Sequence, residues 1–465
     1  MSIHGLNAKE FPKLSREALK DEVQRGAISK ATDTIRDRRG AAVEQIPEWE
    51  GLRERARAIK AHTLARLDHY LEEFAARAEQ AGVQIHWAKD AQEAGETIAG
   101  LIPEGSDKPI VKSKSMATEE IGLNHLLEAR GMRPVETDLG EWIQQMAGEP
   151  PSHIIVPAIH KTEKQIADLF AEKLGSNADA SAEELTAIAR EILREEFANA
   201  EVGISGVNFA VAETGSFFLL ENEGNIRLTT TLPRIHIALM GIEKLLPRLS
   251  DLEVFLRLLP RSGTGQHLTS YQTLFTGNAH LKNGEGPEQM HLILLDNGRS
   301  ALLGDELAQS SLQCIRCGAC LNVCPVFRQI GGHAYGSVYP GPIGSVVTPQ
   351  LAGIERARAL PFACSLCVAC KEVCPVKIDL PEVLLDLRKQ ASKGAGLNER
   401  MGFGIWAWFM KSRRRYRWSL RIARLFFPLG KSVGPFKKWR AGRELPKPAA
   451  KSFGEQWTEK KEEQR

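Results

Sequence analysis

The spacing of hydrophobic positions changes several times along the chain, and each change predicts an element. Residues 1–50 are polar and charged with weak periodicity, and read as an N-terminal arm or a loose helix pair. From Leu52 to Ala81, the residues Ile59, Leu64, Leu67, Leu71 and Phe74 recur at three-to-five spacing, and Gly82 closes the run, which predicts a helix. Short apolar runs then alternate with helical ones. "VQIHWA" (83–88), "PIVKSKS" (109–115), "RPVETD" (133–138) and "HIIVPA" (153–158) predict strands. Helices are predicted over 90–102, opened by Asp90, over 117–131, and in "KTEKQIADLFAEKLG" after the fourth run. Ser181-Ala182-Glu183-Glu184 is a capping box ahead of a helix bearing Ile188, Ile192, Leu193 and Phe197. Further strands are predicted at 207–212, 216–222, 234–241 and 290–296, with a long apolar helix over 242–260. Strand–helix alternation of this kind predicts a parallel α/β sheet, occupying residues 51–300.

Past residue 300 the composition shifts. Residues 301–390 hold all eight cysteines and a Gly/Pro-rich insert, "GGHAYGSVYPGPIGSVVTP" (331–349). The tail, 391–465, is basic and aromatic, with Trp406, Trp408, Trp418 and Trp439 close together. Net charge is +3 over 465 residues, yet residues 391–451 carry 16 basic and 2 acidic side chains, so the rest is acidic. The basic character is local. No apolar h-region opens the chain and no window reaches a membrane-spanning length, so a cytoplasmic protein is expected, with peripheral contact on the cytoplasmic membrane face as an option. A reducing compartment disfavours disulfides.

Two segments share one pattern, C-x2-C-x2-C-x3-C-P. One is Cys314, Cys317, Cys320, Cys324-Pro325; the other is Cys364, Cys367, Cys370, Cys374-Pro375. A cubane cluster offers four iron corners, each taking one thiolate. Three cysteines at this step wrap three corners, and small residues such as Gly318 and Ala319 let backbone N–H groups approach the sulfides. In two-cluster ferredoxins the fourth cysteine of such a run ligates the other cluster. Two [4Fe–4S] clusters are therefore expected, one held by Cys314, Cys317, Cys320 and Cys374, the other by Cys364, Cys367, Cys370 and Cys324. Structural zinc instead favours two two-cysteine knuckles per ion, without a third cysteine at the same step or a following proline.

Such clusters carry single electrons, and a two-electron oxidation needs a flavin, nicotinamide or catalytic metal. No G-x-G-x-x-G follows a strand, and C-x-x-C-H is absent. The expectation is a non-catalytic electron-transfer subunit whose chemical centre lies on a partner. Helical flanks on both motifs resemble the α-helical ferredoxin modules of respiratory iron–sulfur subunits. His333, Tyr335 and Tyr339 of the insert either tune the clusters or contact a partner, or belong to a solvated loop.

In "AETGSFFLLENEGNIRLTTTLPRIHIALMG" (212–241), Glu213-Thr214-Gly215-Ser216 has the make-up of a turn that offers N–H groups to an anion. With "SKSMATEEIGLNHLLEARG" (113–131) and "SGTGQHLTSYQTLFTG" (262–277), this stretch resembles the LUD (lactate utilisation) domain, whose fold is similar to the sugar-phosphate isomerase and CoA-transferase group. A LUD domain followed by the dicluster module, "GGHAYGSVYPGPIG" and a basic tail resembles the lactate utilisation protein B family, over residues 50–450. The resemblance implies an iron–sulfur subunit in oxidation of L-lactate to pyruvate, alongside a cysteine-rich redox subunit and a smaller LUD subunit. By position, Lys112, Lys114, Glu213, Thr214 and Asn222 are the pocket candidates, against a turn that only shapes the fold. The tail is read as a docking helix for the acidic body or a partner, or as a contact with anionic membrane. Nucleic acid is not expected, since the rest is acidic and shows no reading module. Two other functions stay open: a redox-sensing or scaffold protein binding a small anionic metabolite, and a self-contained 2-hydroxyacid dehydrogenase.

Overall fold

A computed structural model describes residues 3–394, 396–430 and 449–464. The chain divides into two compact units, Met1–Ala391 and Ser392–Arg465.

Among the described residues, ten strands lie in the first unit: β1 (Gln84–Ala88), β2 (Pro109–Lys112), β3 (Arg133–Glu136), β4 (Val202–Gly206), β5 (Phe209–Val211), β6 (Ser216–Glu221), β7 (Ile235–Gly241), β8 (Leu245–Leu246), β9 (Tyr271–Phe275) and β10 (Gln289–Leu295). Six form an all-parallel sheet in the order β1-β10-β7-β4-β2-β3. Every residue of β7 is buried, as expected of a central parallel strand covered on both faces. The chain leaves β2 toward β3 on one side, and leaves β4 toward β7 on the other. β2 and β4 therefore flank the point where strand order reverses. The other four strands form a smaller sheet, β8-β5-β6-β9.

One face of the large sheet packs Ile204, Ile237 and Ile293 against Ala94, Ile98 and Leu127 of flanking helices. The opposite face belongs to a larger core. That core runs without a break from Phe74, Phe217, Met240 and Leu292 into Leu321, Tyr335, Val346 and Leu384 of the cysteine region. The α/β part and the cysteine part thus share one hydrophobic interior, and the short helices around the cysteines are stabilised by burial against the sheet.

Several predicted elements differ in the structure. "HIIVPA" (153–158) is not a strand. The buried His153 ring accepts the Ile155 and Val156 N–H groups at 3.0 and 3.1 Å, and Pro157 O accepts Ser152 N–H, so the segment turns back on itself instead of offering these groups to a ladder. The helix expected over 242–260 begins only at Leu252, because residues 245–246 pair with β5 and Pro247 follows. The helix expected over 52–81 is two, Trp49–Leu64 and Leu67–Gln80. Residues 1–50 contribute the helices Phe11–Ala18 and Glu22–Glu44. The Gly/Pro insert contains the buried helix Gly341–Ala352, and Tyr335 and Tyr339 are buried, so the solvated-loop alternative fails for both tyrosines.

The second unit has the helices Leu397–Met410, Arg413–Gly430 and Phe453–Glu463. Trp406, Trp408 and Trp418 are each more than half exposed, and the Arg415 guanidinium lies 4.3 Å over the Trp408 ring. Trp439 lies outside the described residues.

Candidate metal centre

The two cysteine motifs fold alike. Arg316 and Gly318 have φ of 60° and 72°; Leu366 and Val368, fifty residues on, have 57° and 70°. These left-handed steps turn backbone N–H groups onto sulfur. Cys314 Sγ accepts from Arg316 N–H at 3.4 Å, Cys364 Sγ from Leu366 N–H at 3.3 Å, and Cys374 Sγ from Ile378 N–H at 3.4 Å. Glycine adopts the conformation freely at 318, whereas β-branched Val368 holds it under strain.

Cys314, Cys317, Cys320 and Cys374 line one void, closed by Ile343, Ile378 and Leu380. On the other side, burial pushes the Cys324 thiol up to about 11, and Cys364 and Cys367 add to the shift. Burial pushes Cys370 up to about 12, with Cys364 and Cys324 contributing. Cys374 is likewise pushed up to about 11 by burial, and Cys314 adds to it. Eight soft donors with inward N–H groups fit the donor set and surroundings of iron–sulfur clusters. Exposure differs between the motifs. Cys314 and Cys364 are both half-buried and Cys317, Cys320, Cys324, Cys370 and Cys374 are buried, so the difference falls at Cys367, which is exposed.

Helices from the first 64 residues hold the cysteine loops. Arg53, 7% exposed on the helix Trp49–Leu64, donates to Cys374 O at 2.8 and 3.0 Å and to Glu372 O at 2.8 Å. Arg39 donates to Val373 O at 3.2 Å. Asp33 pairs with Arg328, just after the first motif, at 2.5 Å. No local sequence signal announces these bonds, because the partners lie about three hundred positions apart.

A buried charge network joins the sheet to the first motif. Glu120 accepts from Arg299 Nη1 at 2.9 Å and Nη2 at 2.8 Å, from Asn297 at 2.7 Å and from Tyr339 OH at 2.6 Å. Glu243 accepts from Arg299 Nε at 2.7 Å and lies 3.6 Å from Arg316. A side chain on Gly241, at the end of β7, would collide with Glu243 and Arg299. Burial alone would raise the Glu243 carboxyl, but Arg299 and Arg316 hold it down at about 2. Tyr339 of the insert therefore belongs to this network, and the Arg316 guanidinium lies 4.9 Å over its ring.

Between the network and the sheet lies a cavity of about 250 Å³. It opens at the carboxyl ends of β2, β4 and β7, where ligands bind in open α/β sheets. Of the five pocket candidates it takes two, Lys114 and Asn222. Lys114 donates to Ile155 O at 2.7 Å, and Asn222 is tied to Gln266 and Ser270. Lys112 is fully buried elsewhere, 2.7 Å from Glu136 and 3.1 Å from Glu119. Burial alone would push its ammonium down, but those carboxylates hold it above its ordinary range. Glu213 caps a neighbouring turn by accepting from Leu249 N–H at 2.9 Å, and Thr214 sits in the turn that packs on the helix Leu67–Gln80. The sequence reading missed Lys244, Glu243, Arg299 and Arg316. Only Arg316, inside a cysteine motif, carried a local signal.

A parallel α/β domain that shares its core with two four-cysteine loops defines a class, the LUD-domain iron–sulfur proteins. The LUD domain family matches residues 71–295, the 4Fe-4S dicluster domain residues 310–378, and the C-terminal region of lactate utilisation protein B residues 384–462. A dicluster domain of this kind takes two [4Fe–4S] clusters. Curated relatives named lactate utilization protein B align along nearly the whole chain. That of Oceanobacillus iheyensis is 44% identical over 96% of this chain and 95% of its own length. That of Bacillus velezensis is 44% identical over 98% of each chain, and that of Bacillus subtilis 43% identical over 98% and 97%. The chain belongs to the lactate utilization protein B family. A solved DUF162 family protein from Deinococcus radiodurans aligns over 49% of this chain and 98% of its own, at 13% identity and a TM-score of 0.28. No described helix is long and apolar enough to cross a membrane.

Proposed function

We propose that this chain is the iron–sulfur electron-transfer subunit of a complex that oxidises L-lactate to pyruvate. The observation that carries the reading is an asymmetry: one thiol set is enclosed beside a cavity of the α/β domain, and the other reaches the surface at Cys367. The relatives' name supplies the substrate. Two [4Fe–4S] clusters supply one-electron carriers for the two electrons that leave the hydroxy acid. The void shared by Cys314, Cys317, Cys320 and Cys374, and the mutual influence of Cys324, Cys364 and Cys370, support crossed ligation. This chain's residues insulate the first set and present the second, beside the exposed Phe362 and Val368, to a redox partner. The partners proposed are a cysteine-rich redox subunit and a smaller LUD subunit. The basic, tryptophan-bearing second unit adds a docking surface for a partner or an anionic membrane face in the cytoplasm.

The test is anaerobic addition of L-lactate to this chain, alone and with the partner subunits, while following cluster reduction. Reduction only in the assembled complex is expected. Absence of reduction in every combination would favour a sensing role, and reduction of the isolated chain would favour a self-contained dehydrogenase. Flotation on anionic vesicles with and without residues 392–465 tests the membrane contact; equal flotation removes it.

A further inference from the structure

The cavity at the carboxyl ends of the strands has two cationic walls. Lys244, largely buried just after β7, has no salt-bridge partner among the described residues. Arg316 faces it from the first cysteine loop, 9% exposed, with its Nη1 buried and lacking any acceptor. Its other neighbours are the Cys314 thiol and the cysteine void that it also lines, the Tyr339 ring, and Glu243 at 3.6 Å, a carboxylate already engaged by Arg299.

The acidic groups of the wall are also occupied. Glu221 accepts from Ile226 and Arg227 N–H at 2.6 and 2.9 Å, and Glu223 accepts from Leu139 N–H at 3.1 Å. The buried polar atom of the wall left without a partner is thus a cationic one, Arg316 Nη1, and a buried guanidinium nitrogen without an acceptor is costly unless a ligand supplies one. Ile154, Ile315 and Leu259 line the rest of the cavity with apolar surface, and Thr264 and Gln266 add polar groups.

We infer that this cavity is a binding site for a small 2-hydroxy- or 2-oxo-carboxylate, whose carboxylate is held between Lys244 and Arg316. The choice of acid rests on the functional reading above; the cationic site rests on the geometry alone. A carboxylate suits the pair because it accepts from both cations at once, and a short apolar body suits the isoleucine and leucine wall. The site also has an electrostatic consequence. Arg316 stands between Cys314 and Cys317, so an anion bound to it adds negative charge beside that thiol set. Negative charge disfavours uptake of an electron, so occupancy lowers the reduction potential of the enclosed cluster and leaves the exposed one nearly unchanged. The cavity would then report its occupancy to one end of the electron path.

The experiment uses the anaerobically purified full chain with its clusters. Equilibrium dialysis measures binding of L-lactate, pyruvate and inorganic phosphate, and redox titration followed by electron paramagnetic resonance measures both potentials. The expected result is binding of the hydroxy and oxo acids in preference to phosphate, with a downward shift of one potential. Lys244→Met, which keeps the volume and removes the charge outside the cysteine loop, should weaken binding about tenfold or more at unchanged iron content, as expected for loss of one charge-assisted contact. Arg316→Gln should do the same and abolish the shift. Preference for phosphate, absence of binding, binding indifferent to Lys244→Met, or equal shifts of both potentials would each overturn the inference. If lactate still reduces the clusters of the assembled complex while the cavity binds nothing, the inference fails and the electron-transfer function stands.

Discussion

The first cysteine motif is covered by the α/β domain, whereas the second, with nearly the same backbone, reaches the surface at Cys367 and Val368. The loops share left-handed residues at positions fifty apart and the same N–H to sulfur bonds, so the difference is not local. It comes from what covers them. Gly318 of the first loop lies under His153 and Ile155, and Arg316 enters the buried charge network. Val368 and Cys367 of the second face solvent, and that motif is anchored mainly through backbone carbonyls gripped by Arg53, Arg39 and Arg388. One folding unit is thus used twice, once facing inward and once outward.

The largest test of the comparison exchanges fourth cysteines. Cys324→Ala should remove the cluster held by Cys364, Cys367 and Cys370, and Cys374→Ala the one held by Cys314, Cys317 and Cys320. Each variant should keep about half the iron, since each motif's first three ligands belong to a single cluster. Iron analysis with electron paramagnetic resonance reads the outcome; loss of the cluster nearest in sequence would break the crossed pairing.

The next contrast is between the two kinds of anchor. Glu120→Ala leaves Arg299 buried without its bidentate partner and should cost about 3–5 kcal/mol. Arg53→Met, which loses carbonyl bonds at the second motif, should cost less, about 2–3 kcal/mol. Denaturant midpoints of the anaerobic holoprotein rank the two. The reverse order would mean that the enclosed motif is not the more tightly built.

How far the sequence carried depends on the range of each cause. The cysteine motifs were legible because four ligands fall within eleven residues and their spacing is itself the chemistry. The sheet was legible because buried parallel strands are short apolar runs between amphipathic helices. The segment 153–158 misled because its isoleucines and valine imitate such a run, while the His153 ring takes the N–H groups a ladder would need. The N-terminal helices looked like a loose pair because their cationic residues serve carbonyls about three hundred positions away. Lys112 and Lys114 were indistinguishable in sequence. Strand alternation would put both on one face; they part because β2 ends at Lys112, which turns to Glu136 in the interior, while Lys114 lies beyond the strand and reaches the cavity.

A smaller effect is expected from exchanging the residues at the shared left-handed step. Gly318→Val should cost about 2 kcal/mol, because a β-branched residue is strained there and its Cβ would lie 3.1 Å from the His153 ring. Val368→Gly relieves the same strain in open surroundings and should be neutral or gain up to about 1 kcal/mol. Equal responses at both positions would mean that the covering layer does not distinguish the motifs.

The smallest effect comes from that layer's own titration. Burial pushes the His153 imidazole down to about 3, with Lys114 adding to the shift, while Asn322 of the first motif bonds the ring at 3.1 Å. The folded protein therefore keeps the ring neutral, and the unfolded chain protonates it below its ordinary value of 6.5. The stability linked to His153 is complete above that value and is lost as pH falls toward 3, by at most about 1.4 kcal/mol per pH unit. His153→Gln removes this proton uptake. The variant should be the less stable near neutral pH, and its deficit should narrow by about 1 kcal/mol between about pH 7 and 5.5. Subtracting the variant's denaturation profile from that of the unaltered protein cancels acid damage common to both clusters. A deficit that stays constant with pH would mean that the ring takes up its proton within the fold, and that the cover over the first motif admits water as freely as the surface around the second.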